Sequence, residues 1–384
     1  MVEHMKVGIL TYHDTANYGA ALQAYATQYA LARLGVDSEI IDYTNEYRQG
    51  SYSVQKRFLM EVGQGRYLQA AKTLAGMPMI LSRAKKFSAF YRSHLKMGDS
   101  VFRTMKALRE NPPDYDVYLA GSDQIWNVRN NGGDLNYMLD FVSDKRKTVS
   151  YASSFGLEGI PEEFKKKFAG PLSQIRQISV RENTGAKLVK ELTGRKPEVV
   201  LDPVFLPEKS HWQSFVKEVN DCKSPYILLY TSKAGYLSEF RETTGYDPGQ
   251  YDIVHIGTDL SLTDLIDRHI RVRSTKGPER FLGYIKNAHL VLTSSFHGVV
   301  FSILMERPFV VFLSGDYGRD SRIVELLFAL GLSDRIFSPK MSRDIVMHEI
   351  DYRAVNKRVA ALRKKSLNFL ENALQQACVD KIPA

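Results

Sequence analysis

Cysteine is nearly absent: Cys222 and Cys378 are the two in a chain of 384 residues, too few and too far apart for a disulfide framework or a zinc-ligand pattern. A reducing compartment is the simplest setting. Long apolar runs are missing as well, none approaching the roughly 20 residues that span a bilayer. The apolar start VGILTY is shorter than a secretory core and gives way to polar HDTANYG, so a cytoplasmic chain without a secretory leader is expected. Several signature loops are also lacking. GQGRYL, beginning at Gly63, has no third glycine and follows no strand-like run; neither a P-loop nor a G-x-S-x-G elbow occurs. Asp114-Tyr115-Asp116 spells D-x-D but precedes its strand-like run instead of following it.

What is present describes an ordinary globular chain, with 44% hydrophobic and 25% charged residues and a length that suits two domains. The net charge of +9 is local. Between Ser51 and Glu110 twelve Lys or Arg face only Glu61, Asp99 and Glu110, so the rest of the chain is balanced. Here FLMEV (58–62) and AGMPMIL (75–81) are interleaved with Arg57, Arg66, Lys72, Arg83, Lys85, Lys86 and Arg92. Such a basic helical insert suits an anionic lipid surface or a phosphorylated ligand, or is simply a solvated helix face. Nucleic acid is not expected, because no DNA or RNA motif accompanies the charge.

The run at residues 6–12 (KVGILTY) reads as a buried strand, 17–34 as a helix stopped by Gly35, and 38–43 as the next strand. After the insert, strand-like runs at 117–120, 148–152, 178–180 and 199–201 alternate with helices near 161–174 and 184–192. Asp202-Pro203 and PEKSHWQSF close this half. Alternation resumes with strands at 226–231, 253–256, 270–272, 289–293 and 308–313, and a helix is expected over 353–378. The predicted fold class is α/β, with two doubly wound Rossmann-like domains facing across a cleft, GT-B-like, and a C-terminal helix crossing back. The expected domains are 1–207, carrying the insert 51–110; 224–345; and the helical segment 350–384, packing back on the first.

Chemistry is sought where parallel strands end. At the end of the first strand comes Tyr12-His13-Asp14-Thr15-Ala16-Asn17-Tyr18-Gly19-Ala20, either a helix-capping loop with Asn17 as cap or a donor-rich turn. GSDQIWN (121–127) gathers Ser122, Asp123, Gln124 and Trp126, side chains suited to a sugar. SVRE (179–182) holds Arg181 beside Glu182, either an internal ion pair or an arginine fork for an anion. In TSSFHGVVFSILMERPFVVF (293–312), Ser294, Ser295, His297 and Gly298 fall between a strand and a helix, where hydroxyls, N–H groups and an imidazole converge. Arg319 and Arg322 open the helix that follows the next strand.

TSSFHGVVFSILMERPFVVF, AGSDQIWN, VSYASSFG, SVRE with a later LDP, and TYHDTANYGAALQAYA together resemble the polysaccharide pyruvyl transferase family, in the family's order from residue 7 to about 330. The resemblance implies a GT-B-like transferase that moves the enolpyruvyl carbons of phosphoenolpyruvate onto a sugar as a pyruvate ketal, in surface polysaccharide biosynthesis. His297 matches the family's histidine, thought to be the general acid. The implied donor side is the second domain, with Ser294, Ser295, Gly298, Arg319 and Arg322, joined by Arg181. The acceptor side is the first domain, with His13, Asn17, Tyr18, Gly19, Ser122, Asp123, Gln124 and Trp126. Phosphoenolpyruvate is a co-substrate; no cofactor and no metal are expected. The basic insert then suits a lipid-linked oligosaccharide acceptor, with peripheral contact at the inner membrane face.

One departure stands out. Characterised members can carry arginine two residues before the histidine, where this chain has Ser295. Either arginines elsewhere supply the anion contact, or this branch uses a different donor. Two rivals remain: a GT-B glycosyltransferase using a nucleotide-sugar donor, whose customary glutamate pair eight residues apart is missing around Glu306 and Glu325, and a non-catalytic glycan-binding protein.

Overall fold

The computed structural model describes residues 5–52, 54–222, 224–231, 235–246, 251–257 and 270–379. It divides into two compact units, one ending at Leu206 and resuming at Leu362, the other covering Pro207–Ala361. Both are α/β units built on a doubly wound parallel sheet. The first sheet contains β1 (Lys6–Leu10), β2 (Asp37–Tyr43), β3 (Met97–Phe102), β4 (Val117–Ala120), β5 (Thr148–Ser153), β6 (Gln177–Val180) and β7 (Glu198–Val199), in the order β3-β2-β1-β4-β5-β6-β7. The second contains β8 (Tyr226–Tyr230), β9 (Asp252–His255), β10 (Ile270–Val272), β11 (Leu290–Thr293) and β12 (Phe309–Val311), in the order β10-β9-β8-β11-β12.

The central strands are short apolar runs because both of their faces are covered. In the first unit Val7, Ile9, Leu119 and Val149 share one buried cluster with Ala24 and Leu31 of the helix Tyr18–Arg33. The final helix, Tyr352–Val379, begins in the second unit and continues into the first, where Leu370, Ala373, Leu374 and Ala377 join that cluster. Leu10, Tyr43, Tyr118, Trp126, Tyr137 and Phe155 belong to a separate cluster. In the second unit Ile227, Leu229, Phe240, Leu292 and Val310 form the core.

The basic helical insert expected over 51–110 also contains a strand. Two helices, Val54–Gly63 and Tyr67–His94, are followed by the edge strand β3 and a short helix, Met105–Glu110. As an edge strand, MGDSVF is exposed along much of its length and so lacks the apolar run by which buried strands are recognised.

A kink in β5 shapes the rim beside it. The register with β6 shifts between Ser150 and Ser153, and Ala152 adopts φ 52°, a left-handed conformation uncommon for a residue with a side chain. Buried serines repair the ladder: Ser150 Oγ donates to the Ser179 carbonyl at 3.0 Å and Ser179 Oγ to the Ser150 carbonyl at 2.8 Å. Ser153 Oγ then reaches the Gly121 carbonyl at 2.9 Å, fixing the loop after β4.

Gly8, in the middle of β1, lies against the Tyr115 ring, where an added Cβ would sit 2.3 Å from Cδ2. Gly8→Ala should therefore cost about 1–3 kcal/mol, read as a lowered denaturant midpoint with an unchanged slope. A neutral effect would mean that Tyr115 moves aside freely.

Candidate active site

Parallel strands place all their C-terminal ends on one rim, and loops diverge where strand order reverses. In the first sheet that point lies between β1 and β4, in the second between β8 and β11. Residues 11–17 and 121–127 leave the first point; residues 294–297 leave the second.

In the second unit, Thr293 Oγ1 donates to the Tyr230 carbonyl at 2.7 Å and accepts from the Ser295 backbone N–H at 3.1 Å. Ser294 donates its backbone N–H to the same Tyr230 carbonyl at 3.2 Å. Ser295 then caps the helix Phe296–Leu304, its Oγ accepting from Gly298 N at 3.4 Å. Gly298 is needed for close approach, because a Cβ there would meet Thr293 Oγ1 at 2.3 Å. The capped turn puts His297 in the first turn of a helix, at the positive end of its dipole, with 7% of its surface exposed.

Phe296 links that histidine to an arginine. The imidazole meets the Phe296 ring edge-on at 5.2 Å between centroids, and the Arg322 guanidinium carbon lies 5.6 Å from the centre of the same ring. Arg322 is steadied by the Arg319 carbonyl, which accepts from Nε at 3.4 Å and Nη2 at 3.3 Å. The Arg319 side chain itself is exposed. Asp320 ties down the preceding loop, accepting from Ser314 Oγ and Gly315 N, both at 2.9 Å. The second unit thus gathers a histidine, an arginine, two serines and the N-terminal turn of a helix, a set suited to an anion that must receive a proton.

The first unit's rim is richer in carboxylates. His13 is held from two sides, Nδ1 lying 3.0 Å from the Thr11 carbonyl and Nε2 3.2 Å from Asp42 Oδ1. Arg103 grips Asp42 with two nitrogens, at 2.7 and 3.2 Å. Nearby, Arg48 lies 3.5 Å from the centre of the Tyr12 ring and donates to Asp14 at 3.2 Å. The loops after β1 and β4 are knit together: Tyr12 OH donates to the Gln124 carbonyl at 3.1 Å and Thr11 Oγ1 to the Ser122 carbonyl at 2.9 Å. Gln124 accepts from Asn127 at 2.8 Å and Asn130 at 3.2 Å. Asp123 adopts φ 77°, a strained conformation at the head of its loop.

Several predicted contact residues turn out to have structural work. Tyr18 is fully buried; its ring packs on Phe87 and its hydroxyl accepts from Arg83 at 3.2 Å. Trp126 is likewise sealed, its Nε1 donating to the Tyr137 carbonyl at 2.9 Å. Ser122 is buried and donates to Asp202 at 3.1 Å. Asn17 is the cap of helix Tyr18–Arg33, accepting from Ala20 N at 3.1 Å, and Gly19 is buried in the first turn. Arg181, expected on the donor side, belongs to the first unit. Its Nη1 lies 2.5 Å from Asp202, its Nε is 3.9 Å from Glu182, and its side chain is 2% exposed. This is the internal ion pair, one of the two readings its sequence allowed, and parting a guanidinium from a buried carboxylate is strongly unfavourable.

Arg48, Asp42 and Arg103 were not singled out from sequence. Arg48 follows β2, so asking of every parallel strand what comes directly after it would have found it. Among the described residues, no group of three or more His, Cys, Asp or Glu is placed to hold a metal ion.

The family whose sequence model matches the chain is described as Polysaccharide pyruvyl transferase, over residues 17–316. No curated protein matches. Among solved structures, the S. aureus MnaA–UDP co-structure has a TM-score of 0.50 at 10% identity, covering 99% of both chains. A putative UDP-N-acetylglucosamine 2-epimerase from Listeria monocytogenes has 0.49 at 12%, over 96% of this chain and 91% of that one. The glycosyltransferase SsfS6 from Streptomyces sp. SF2575 has 0.39 at 12%, over 94% and 96%. At 10% identity the likeness to the S. aureus structure concerns the fold alone, which is GT-B-like.

Asp14 and Asp42 both sit below the ordinary carboxylate range. For Asp14 burial pushes upward and is outweighed by the charges of Arg48 and His13 and by the hydrogen bond from Arg48. For Asp42 burial is outweighed by His13 and Arg103. A depressed carboxylate contributes stability that is present above its unfolded pKa of about 4 and lost as pH falls through the folded value. Asp42→Asn should accordingly lower Tm at pH 7 and flatten the fall in Tm from pH 5 to 2. A parallel acid limb in the variant would remove Asp42 from the account.

Proposed function

Because the chain belongs to the polysaccharide pyruvyl transferase family, we propose that it transfers the enolpyruvyl carbons of phosphoenolpyruvate to hydroxyls of a lipid-linked sugar, forming a pyruvate ketal for a surface polysaccharide. The observation that carries this reading is the grouping of His297 and Arg322 about Phe296, at the strand-order reversal of the second sheet.

His297 is the proton donor. A proton moves from its imidazole to the methylene carbon of phosphoenolpyruvate, the C=C electron pair forming the new C–H bond and leaving C2 electrophilic. One sugar hydroxyl adds at C2 and releases its proton. The C2–O bond to phosphate then breaks, phosphate departs with its electron pair, and a second hydroxyl adds at C2 and loses its proton to close the ketal; of the two hydroxyl protons one restores His297 and the other ends on phosphate. The balance is one phosphoenolpyruvate and two hydroxyls giving one ketal and inorganic phosphate.

The donor carries phosphate and carboxylate charge, which would be prohibitive to desolvate unpaired. Arg322, the exposed Arg319 and the N–H groups of the first turn of Phe296–Leu304 supply the counter-charge. With Arg181 committed to Asp202 and Ser295 committed to its helix cap, Arg322 takes over the anion contact that relatives can draw from the Ser295 position. The acceptor is assigned to the first unit, where Asp14, Asp123 and Gln124 offer acceptors and donors for hydroxyls; His13, Tyr18, Trp126 and Ser122 support those loops from beneath.

The test is phosphate release from phosphoenolpyruvate in the presence of a panel of nitrophenyl or lipid-linked sugars. Release should require the sugar. His297→Ala should lower kcat by about 10²–10⁴, and Arg322→Ala should lower kcat/KM for phosphoenolpyruvate by about 10²–10³. Turnover that ignores either substitution, or that accepts a UDP-sugar in place of phosphoenolpyruvate, would contradict the assignment.

A further inference from the structure

The helices Val54–Gly63 and Tyr67–His94 form a helical hairpin whose turn, residues 64–66, passes through Gly65 at φ 70°. Its two sides differ sharply. On the inner side the C-terminal half of the long helix is fastened to the first unit. Arg83 Nε donates to the Ala16 carbonyl at 3.0 Å, Tyr91 OH donates to the Thr15 carbonyl at 2.5 Å, and Phe87 and Phe90 are buried.

The outer side is apolar yet open to solvent. Tyr67 is 70% exposed, Leu68 72%, Leu74 53% and Leu81 61%, while Leu59 and Met60 on the shorter helix are 66% and 51% exposed. At 100° per residue Tyr67, Leu74, Leu81, Lys85 and Arg92 fall within an arc of about 40°. One stripe therefore passes from apolar to basic along the helix. A cluster of large exposed apolar side chains is an interaction surface rather than an accident of packing.

Charge identifies the occupant. In residues 58–94 the sole carboxylate is Glu61, which is buried and accepts from Thr73 Oγ1 at 2.7 Å. Arg66, Lys72, Lys85, Lys86 and Arg92 are all exposed, so this segment offers solvent five cations and no carboxylate. A second copy docked on the same patch would set these cations against their own equivalents, and the cores of protein interfaces are depleted of charge. Apolar side chains flanked by cations match the headgroup boundary of an anionic membrane.

We propose that this hairpin docks on an anionic lipid bilayer, with Leu59, Met60, Tyr67, Leu68, Leu74 and Leu81 entering the headgroup–acyl boundary and Lys72, Lys85, Lys86 and Arg92 engaging lipid phosphates. Attachment is peripheral, since among the described residues no helix is long and apolar enough to cross a membrane. The inference stands on the hairpin alone. Only its link to catalysis rests on the proposed function: Arg83 and Tyr91 hold the loop after β1, so docking would carry that loop to the surface where a lipid-linked acceptor resides.

The experiment is co-sedimentation of the full chain with vesicles of phosphatidylcholine mixed with phosphatidylglycerol, and with vesicles of phosphatidylcholine alone, with phosphate release measured separately. Binding should be confined to the mixed vesicles and weaken with added salt. Lys85→Glu/Lys86→Glu/Arg92→Glu and, independently, Leu68→Gln/Leu74→Gln/Leu81→Gln should each reduce partitioning at least about tenfold. Because these side chains are exposed, both variants should melt with the wild-type chain and still release phosphate from a soluble nitrophenyl sugar. Equal binding to neutral vesicles, or no binding by the wild-type chain, overturns the proposal. So does self-association that the leucine variant abolishes without any vesicle binding, which would assign the patch to a second copy.

Discussion

Parallel hydrogen bonding aligns every strand of a sheet in one direction, so all the loops that leave the C-terminal ends emerge on a single rim. Both sheets here obey this constraint, and the site follows from it. In the second unit the loop after β11 must turn at once into a helix packed against the strands, and Thr293, Ser295 and Gly298 make that turn possible. Thr293 bonds across to β8, Ser295 caps the helix, and Gly298 leaves room for the Thr293 hydroxyl. His297 is carried to the rim by this geometry.

The two rims solve different electrostatic problems. Around His297 the proposed donor site sets a guanidinium near a helix start. Around β1, β4 and β6, charges are already matched internally: Arg181 with Asp202, Asp42 with Arg103 and His13, Asp14 with Arg48. Buried charge demands partners, and the first unit supplies them from its own loops. What it would offer the proposed acceptor sugar is therefore hydrogen bonding rather than net charge.

Much of this was legible in sequence, for identifiable reasons. KVGIL, YILLY and LVLT stand out because strands covered on both faces are apolar throughout, whereas MGDSVF at the sheet edge carries no such mark. The place of His297 was readable because it depends on neighbours in the chain. Arg181 was not, because its partner Asp202 arrives on a separate loop, and the stacking of Arg48 on Tyr12 is equally invisible in one dimension. Tyr18 and Trp126 have side chains that commonly stack on sugars, but here burial took precedence over residue type. Membership of the family removes much of the ambiguity about reaction class and leaves donor and acceptor to experiment.

Protonation of the methylene carbon of phosphoenolpyruvate is the central claim, and isotope incorporation tests it most directly. Transfer run in D₂O, with the product's methyl group followed by NMR and mass spectrometry, should yield a ketal whose methyl carries a single deuterium. A product methyl without deuterium, or a product holding a transferred sugar in place of pyruvate, would contradict the account.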